Sequence, residues 1–397
     1  MIPSVHHHNG GNLRAFDSRR VREAELHHWI TAAILTVVAL IVSHYSWMMR
    51  ARNVVYGLIQ RATSTSPFAS VVVVLIGDEE FYSPALDHQQ PLSREYLASL
   101  LDKVTSGNPE VVGVDVEMRS PDPSRAERLN HEKGTSTFVQ AVSKFSDRCP
   151  IVVAKALSLD AKNTVADMAD LLPMKDSIGR GFLNVATDVR QVPLILHVSK
   201  NALQSFSLAV VAAKVRTTRG LPSSDHAFPY ALFRPPSFFV TVHSRDVPSA
   251  QLPDLKKWFA HRIVLIGGDW GLRSKGGDER IDIVPTPVGD IPGVYVHATY
   301  IESLLHGTMR EMPGWVKTTV ELLIASTMSI LFTASRGVWR ITTVLGGTFF
   351  ILLLTFFFWQ NLGMFFEAFV PTVLLGGHVL GEQVFEWKEQ AAKVREP

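Results

Sequence analysis

The sequence predicts an α/β domain with a largely parallel or mixed sheet, joined to a four-span α-helical membrane region. Three observations carry that expectation. Val71 to Gly77 is an unbroken apolar run rich in β-branched residues, the pattern of a strand buried on both faces. A helix pattern and a second such run, Val111 to Asp115, follow it as a βαβ unit, for which a right-handed crossover is expected. Four further stretches are apolar over the roughly 20 residues that a helix needs to cross a bilayer.

The spans read as Trp29 to Met49, Val316 to Ser335, Ile341 to Trp359 and Leu362 to Leu380. Arg14, Arg19, Arg20 and Arg22 precede the first, and Arg336 and Arg340 bracket the turn between the second and third. Basic flanks mark the cytoplasmic side, so both termini are expected inside and residues 50–314 outside. Trp47, Trp315 and Trp359 then all fall at the outer interface. The first span has no clear cleavage site after it and reads as an uncleaved signal anchor. The expected division is a tail at 1–28, a span at 29–49, the domain at 50–314, three spans within 315–381, and a tail at 382–397. The location that follows is an inner (cytoplasmic) membrane, with the main domain periplasmic or extracellular.

Within the domain, Ser93 is a candidate N-cap for a helix whose apolar face holds Tyr96, Leu97, Leu100, Leu101 and Val104. Phe138 to Phe145 reads as helix and Pro150 to Ala154 as strand. Gly181 to Val185 and Val192 to Val198 read as short strands, Leu203 to Val215 as helix, and Phe238 to Val242 and Ile263 to Ile266 as strands. Val294 to His306 is a helix heading for the second span. Residues 119–136 and 217–227 are polar, and are expected as surface loops. The chain has 397 residues, 46% hydrophobic and 19% charged; its net charge of +2 gives no general reason to expect nucleic acid. Its single cysteine, Cys149, excludes an intramolecular disulfide, so the domain depends on its core.

Several motifs recur in a fixed order: Val71 to Asp78, Pro91-Leu92-Ser93-Arg94, Val112-Gly113-Val114-Asp115, Asn184 to Val192 with Asp188 and Arg190, Ile263 to Gly267, Thr286-Pro287, and Gly293 to Ala298. In that order and spacing the chain resembles the CHASE2 extracellular sensory domain of bacterial membrane receptors, over nearly all of 70–314. The resemblance implies one span before the domain and three after it. Such receptors commonly continue into a cytoplasmic kinase or cyclase domain. This chain reaches only Pro397 beyond the fourth span, so its signal is expected to leave through another chain.

Asp78 and Asp115 each end a predicted parallel strand, with Glu79 and Glu117 close by. Ligands of open α/β sheets bind outside the carboxyl ends of strands, so these four residues and Arg94 are ligand-binding candidates. Helix capping or pairing with Arg94 would explain the same acids. Asp282, Thr286 and His297 form a second group, expected to couple the Gly267–Pro292 loop to the helix after it; a ligand role or a buried His–carboxylate pair would both fit. His44, Glu321 and Glu367 stand at similar depths in three spans and read as one intramembrane polar cluster, with an Lys317–Glu321 pair as the competing arrangement. Gly346, Gly347, Gly376 and Gly377 would let helices pack closely.

No nucleophile–base pair, phosphate loop or metal spacing is recognisable, so neither catalysis, a cofactor nor a metal is expected. The sequence therefore predicts a sensory or regulatory module that relays an extracytoplasmic signal through its spans to a separate protein partner, as a homo- or hetero-oligomer in the bilayer. A scaffold subunit of an envelope complex is the alternative, and a pore-forming effector a more distant one.

Overall fold

The computed structural model describes residues 53–60, 70–116, 128–167, 178–215, 230–311 and, more sparsely, 313–365, with gaps within these ranges. Two compact units are distinguished, one of Asn53–Glu311 and one that joins Met1–Arg52 to Met312–Pro397. Glu117, His44, Glu321, Glu367, Gly376 and Gly377 lie outside the described residues, as do the expected first span and most of the second and fourth.

The first unit is built on six parallel strands: β1 (Val71–Gly77), β2 (Val111–Asp115), β3 (Ile151–Lys155), β4 (Gly179–Phe182), β5 (Val240–His243) and β6 (Ile263–Asp269). Their order across the sheet is β4-β3-β2-β6-β1-β5. The late strand β6 thus enters between β1 and β2, pairing Val71 with Ile263 and Val111 with Ile263 across its two sides. β1 is buried from Val71 through Ile76, which is why its sequence is a continuous apolar run and not an alternating one.

Helices α1 (Arg94–Ser106) and α2 (Arg128–Phe145) cover one face, where Leu97, Leu100, Leu101, Val104, Phe138, Val142 and Phe145 join the main core. Ser93 caps α1, its hydroxyl accepting from the Tyr96 amide at 3.3 Å. Helices α3 (Phe206–Val215) and α5 (Gly293–His306) pack on the sheet as well, while α4 (Leu252–Phe259) packs against α1. α4 was not foreseen, because its turn-like Gln251-Leu252-Pro253 start hides a Pro in the first helical turn, where Pro is tolerated.

Three expectations are revised. α2 begins at Arg128, inside a stretch read as loop; its early residues are polar, and Gly134 packs closely on α1, 3.4 Å from Glu95 to the position of a would-be β-carbon. The strand over 192–198 is a hairpin of Ile195–Val198 with Asn201–Gln204 and not part of the main sheet. α3 accordingly starts at Phe206, since Asn201–Gln204 is spent on that hairpin.

In the second unit, α6 (Val338–Leu362) runs 25 residues over the expected third span. Leu345, Phe349, Phe350, Leu352, Leu353, Phe356 and Phe357 are exposed on it, while Ile351 packs with Ile324. Among the described residues, no helix is long and apolar enough to cross a membrane.

Candidate functional site at the carboxyl edge of the sheet

Parallel strands put all their carboxyl ends on one edge, so the acids that end β1, β2 and β6 converge there. The register sets Gly77 beside Asp269 and Gly267 beside Asp115. Asp78 follows Gly77 directly, and its Oδ1 accepts from the Gly271 amide at 2.7 Å. The Tyr82 hydroxyl donates to the Gly271 carbonyl at 2.7 Å, and Trp270 stacks on Phe81 with ring centroids 4.9 Å apart. Asp78 therefore fastens the chain leaving β6 to the end of β1.

Asp115 is placed differently. Its Oδ2 is sealed from solvent and has no hydrogen-bond partner among the described residues. Burial, reinforced by the neighbouring charge of Asp282, pushes its carboxyl well above the usual carboxylate range. Asp282 reaches this edge from a turn, with φ +58°, and its carboxyl lies over Gly293, where a β-carbon would collide with it. Its backbone carbonyl accepts from the Gly293 amide at 2.8 Å, at the start of α5. Asp282 is exposed as a residue, yet burial of the carboxyl raises its pKa to about 6. Two carboxyls that each resist ionisation, one of them with an unpartnered oxygen, can take up a proton or accept hydrogen bonds from a polar or cationic ligand. No group of three or more ligating side chains is arranged for a metal ion among the described residues.

The other candidates are occupied by the fold. Glu79 pairs with Arg245, and the buried Glu80 accepts from the Gly77 amide at 2.9 Å. Arg94 is buried, bonded to the Thr135 hydroxyl of α2, and burial lowers its pKa to about 10. Thr286 turns a hairpin of Ile283–Thr286 with Gly289–Pro292: its hydroxyl donates to the Gly289 carbonyl at 2.6 Å and accepts from the Val288 amide at 3.3 Å. His297 is buried under α3, with Nδ1 3.1 Å from the Ser207 hydroxyl and its ring edge-on to Phe206. Burial drives its pKa down to about 4, against a smaller opposing contribution from its bond to the Leu183 backbone. The structure thus brings Asp282 to Asp115 and Gly293, and brings His297 to Ser207. Gly346 on α6 has open space where a β-carbon would stand.

Two fully buried charged residues were not among the candidate site residues. Glu302 is fully buried on α5, and its Oε1 accepts from the amides of Ser70 at 2.9 Å and Val71 at 2.8 Å. An acid in the otherwise apolar and small run Val294 to Leu305 was the available signal. Arg190, also fully buried, sits against the rings of both Tyr56 and Tyr230, 5.9 and 5.8 Å from their centroids, which themselves lie 5.8 Å apart. It was visible only as a member of a motif.

A family model described as CHASE2 domain matches residues 32–335. Neither the curated proteins nor the solved structures compared with the chain gave a match.

Proposed function

The chain belongs to the CHASE2 domain family, and from that premise we propose that it is a membrane-anchored, non-catalytic sensory module. Its α/β domain lies outside the cytoplasm and relays a signal through its spans to a separate protein partner. The observation that carries this reading is the sealed, unpartnered Oδ2 of Asp115 beside Asp282, at the sheet edge where open parallel sheets bind ligands. A buried acceptor without a donor costs about 1–3 kcal/mol, and a sensor recovers that cost when its signal arrives. The signal class that fits is a proton or a small polar or cationic solute able to donate hydrogen bonds. The apolar exposure of α6 supports an anchor in lipid, since such a surface is costly in water.

The test combines affinity copurification from native membrane in mild detergent with the Asp115→Asn variant. A partner that copurifies with the wild type, and whose recovery responds to the pH of the outer face, is expected. Recovery that is indifferent to pH, to added polar amines and to Asp115→Asn would defeat the sensory reading.

One observation favours the scaffold reading. Val240, which opens β5, and Phe238 just before it are exposed, and β5 is an edge strand of the sheet. On that reading, Val240→Lys would abolish partner recovery while Asp115→Asn would leave it intact.

A further inference from the structure

We infer that the Ile283–Pro292 hairpin is a lever: its root is set by Asp282 over Gly293, and its tip bears on Gly57 in the segment 53–60, which follows the expected first span. The inference rests on the sensory reading and names the path by which the site would reach the membrane-proximal chain.

The hairpin pairs Ile283 with Pro292, Val284 with Ile291, Pro285 with Asp290 and Thr286 with Gly289. Three steps of about 3.4 Å separate root from tip, a reach of about 10 Å. At the root, the Asp282 carbonyl holds the Gly293 amide and the carboxyl fills the space that a side chain on Gly293 would need. The tip, Pro287-Val288, is braced from within by the two Thr286 hydroxyl bonds, so it moves as one piece with its strands. Pro287 is buried, and a β-carbon on Gly57 would collide with its carbonyl oxygen. The two backbones are therefore in direct contact, and only glycine permits that approach.

A neighbouring face of the segment is clamped. Tyr56 and Gln60, one helical turn apart, both donate to the Ala231 carbonyl, at 2.8 and 3.0 Å. The Ala231 amide donates to the Arg190 carbonyl at 2.8 Å, and the Leu232 amide to the Ser303 hydroxyl of α5 at 2.7 Å. The segment 53–60 thus touches both a fixed clamp and a hairpin tip. Any tilt of the hairpin at Asp282 must press on the segment or release it. Steric contact is unyielding at this range, so the displacement is transmitted and not absorbed.

The experiment is amide hydrogen exchange of the full chain in lipid nanodiscs, read at 53–60, at 283–292 and at α1 as an internal control. Asp282→Ala removes the carboxyl from over Gly293 without adding bulk, and Gly57→Ala pushes on the tip. Asp282→Ala should change exchange at 53–60 by about fivefold or more, and Gly57→Ala should do the same at 283–292, because coupling is reciprocal. α1 should keep its wild-type exchange. Altered exchange at 283–292 in Asp282→Ala, with 53–60 unmoved, would overturn the lever, as would an unaltered hairpin in both variants. Should Gly57→Ala disturb α1 as well, Asp282→Ala decides alone. The sensory reading fails on a separate result, the indifference of partner recovery to signal, which leaves exchange coupling untouched.

Discussion

Glu302→Ala is the perturbation whose cost follows most directly from the geometry. The Glu302 carboxylate is fully buried, and Oε1 alone receives two backbone donors, Ser70 at 2.9 Å and Val71 at 2.8 Å. Oε2 lies 3.0 Å from Nε2 of His306, which is itself largely exposed and bonds the Ser70 hydroxyl at 3.0 Å. Hydrogen bonds to a charged acceptor contribute about 1.5–3 kcal/mol each, and truncation here also leaves the buried Val71 amide without its acceptor. The expected loss is about 4 kcal/mol, which for a domain of this size is a fall in Tm of roughly 8–16 °C. Glu302→Gln keeps an acceptor oxygen and should lose about 1–2 kcal/mol, while His306→Ala should lose under about 1 kcal/mol because the His306 ring is largely exposed. The assay is thermal unfolding of the full chain in detergent micelles, followed by intrinsic fluorescence, with amide exchange at Ser70 and Val71 as the local readout. An alanine variant within about 0.5 kcal/mol of wild type, with both amides still protected, would refute the idea that α5 is pinned to the start of β1 through this carboxylate.

Three more predictions test other parts of the argument. His297 is held neutral, its pKa lowered to about 4 from an ordinary 6.5, so its contribution to stability is complete above pH 6.5 and is lost as pH falls towards 4. That loss amounts to about 3 kcal/mol in wild type at about 1.4 kcal/mol per pKa unit, and unfolding curves of His297→Asn should lack this component. Asp115 has the opposite sign: its raised carboxyl pKa gives stability at low pH that is lost as pH rises through the raised value. Asp115→Asn should therefore match wild type near pH 4 and be more stable at pH 7, and a variant that is less stable at pH 7 would contradict the sealed-acceptor argument. Cysteines at positions 130 and 338 should react from opposite sides of the membrane, the first alone with an impermeant reagent in cells with a permeable outer layer; labelling of 338 without 130 would sink the topology.

How much could be read beforehand depended on whether the signal was local. β1, β2 and the Ser93 cap emerged at their observed bounds because a strand buried on both faces leaves an uninterrupted apolar run, and because a cap is a contact between near neighbours. The acids at strand ends were found by the same logic. Their division of labour was not, since the bond from Gly271 to Asp78 spans 193 residues and nothing near Asp115 in sequence announces that Asp282 arrives beside it. Arg190 illustrates the limit most clearly. Its surroundings come from Tyr56 and Tyr230, two aromatic residues in unrelated segments, so only the closed fold reveals that a buried cation was accommodated there.

The burial of α5 constrains what can move when a signal arrives. Every residue from Gly293 to Ser303 is buried, including His297, Thr299, Glu302 and Ser303. A helix enclosed on all sides cannot rotate without exchanging apolar partners, and these polar side chains raise the cost further. Sliding α5 by one turn would strip Ser70 and Val71 of Glu302, Leu232 of Ser303 and Val189 of the Tyr300 hydroxyl, which donates to its carbonyl at 2.6 Å. The buried Val71 amide and Val189 carbonyl would each cost about 1–3 kcal/mol when stranded, and the part-buried Ser70 and Leu232 amides add to that, so the sum exceeds the 1–3 kcal/mol typical of coupling between sites. A piston motion of α5 is therefore too expensive to be the response. The hairpin ahead of it carries a smaller burden, since Pro285, Gly289 and Asp290 are exposed and its own hydrogen bonds travel with it. The low-cost motion available at this edge is thus a tilt of the hairpin about Gly293, with α5 as the fixed post and Gly57 as the point that feels it.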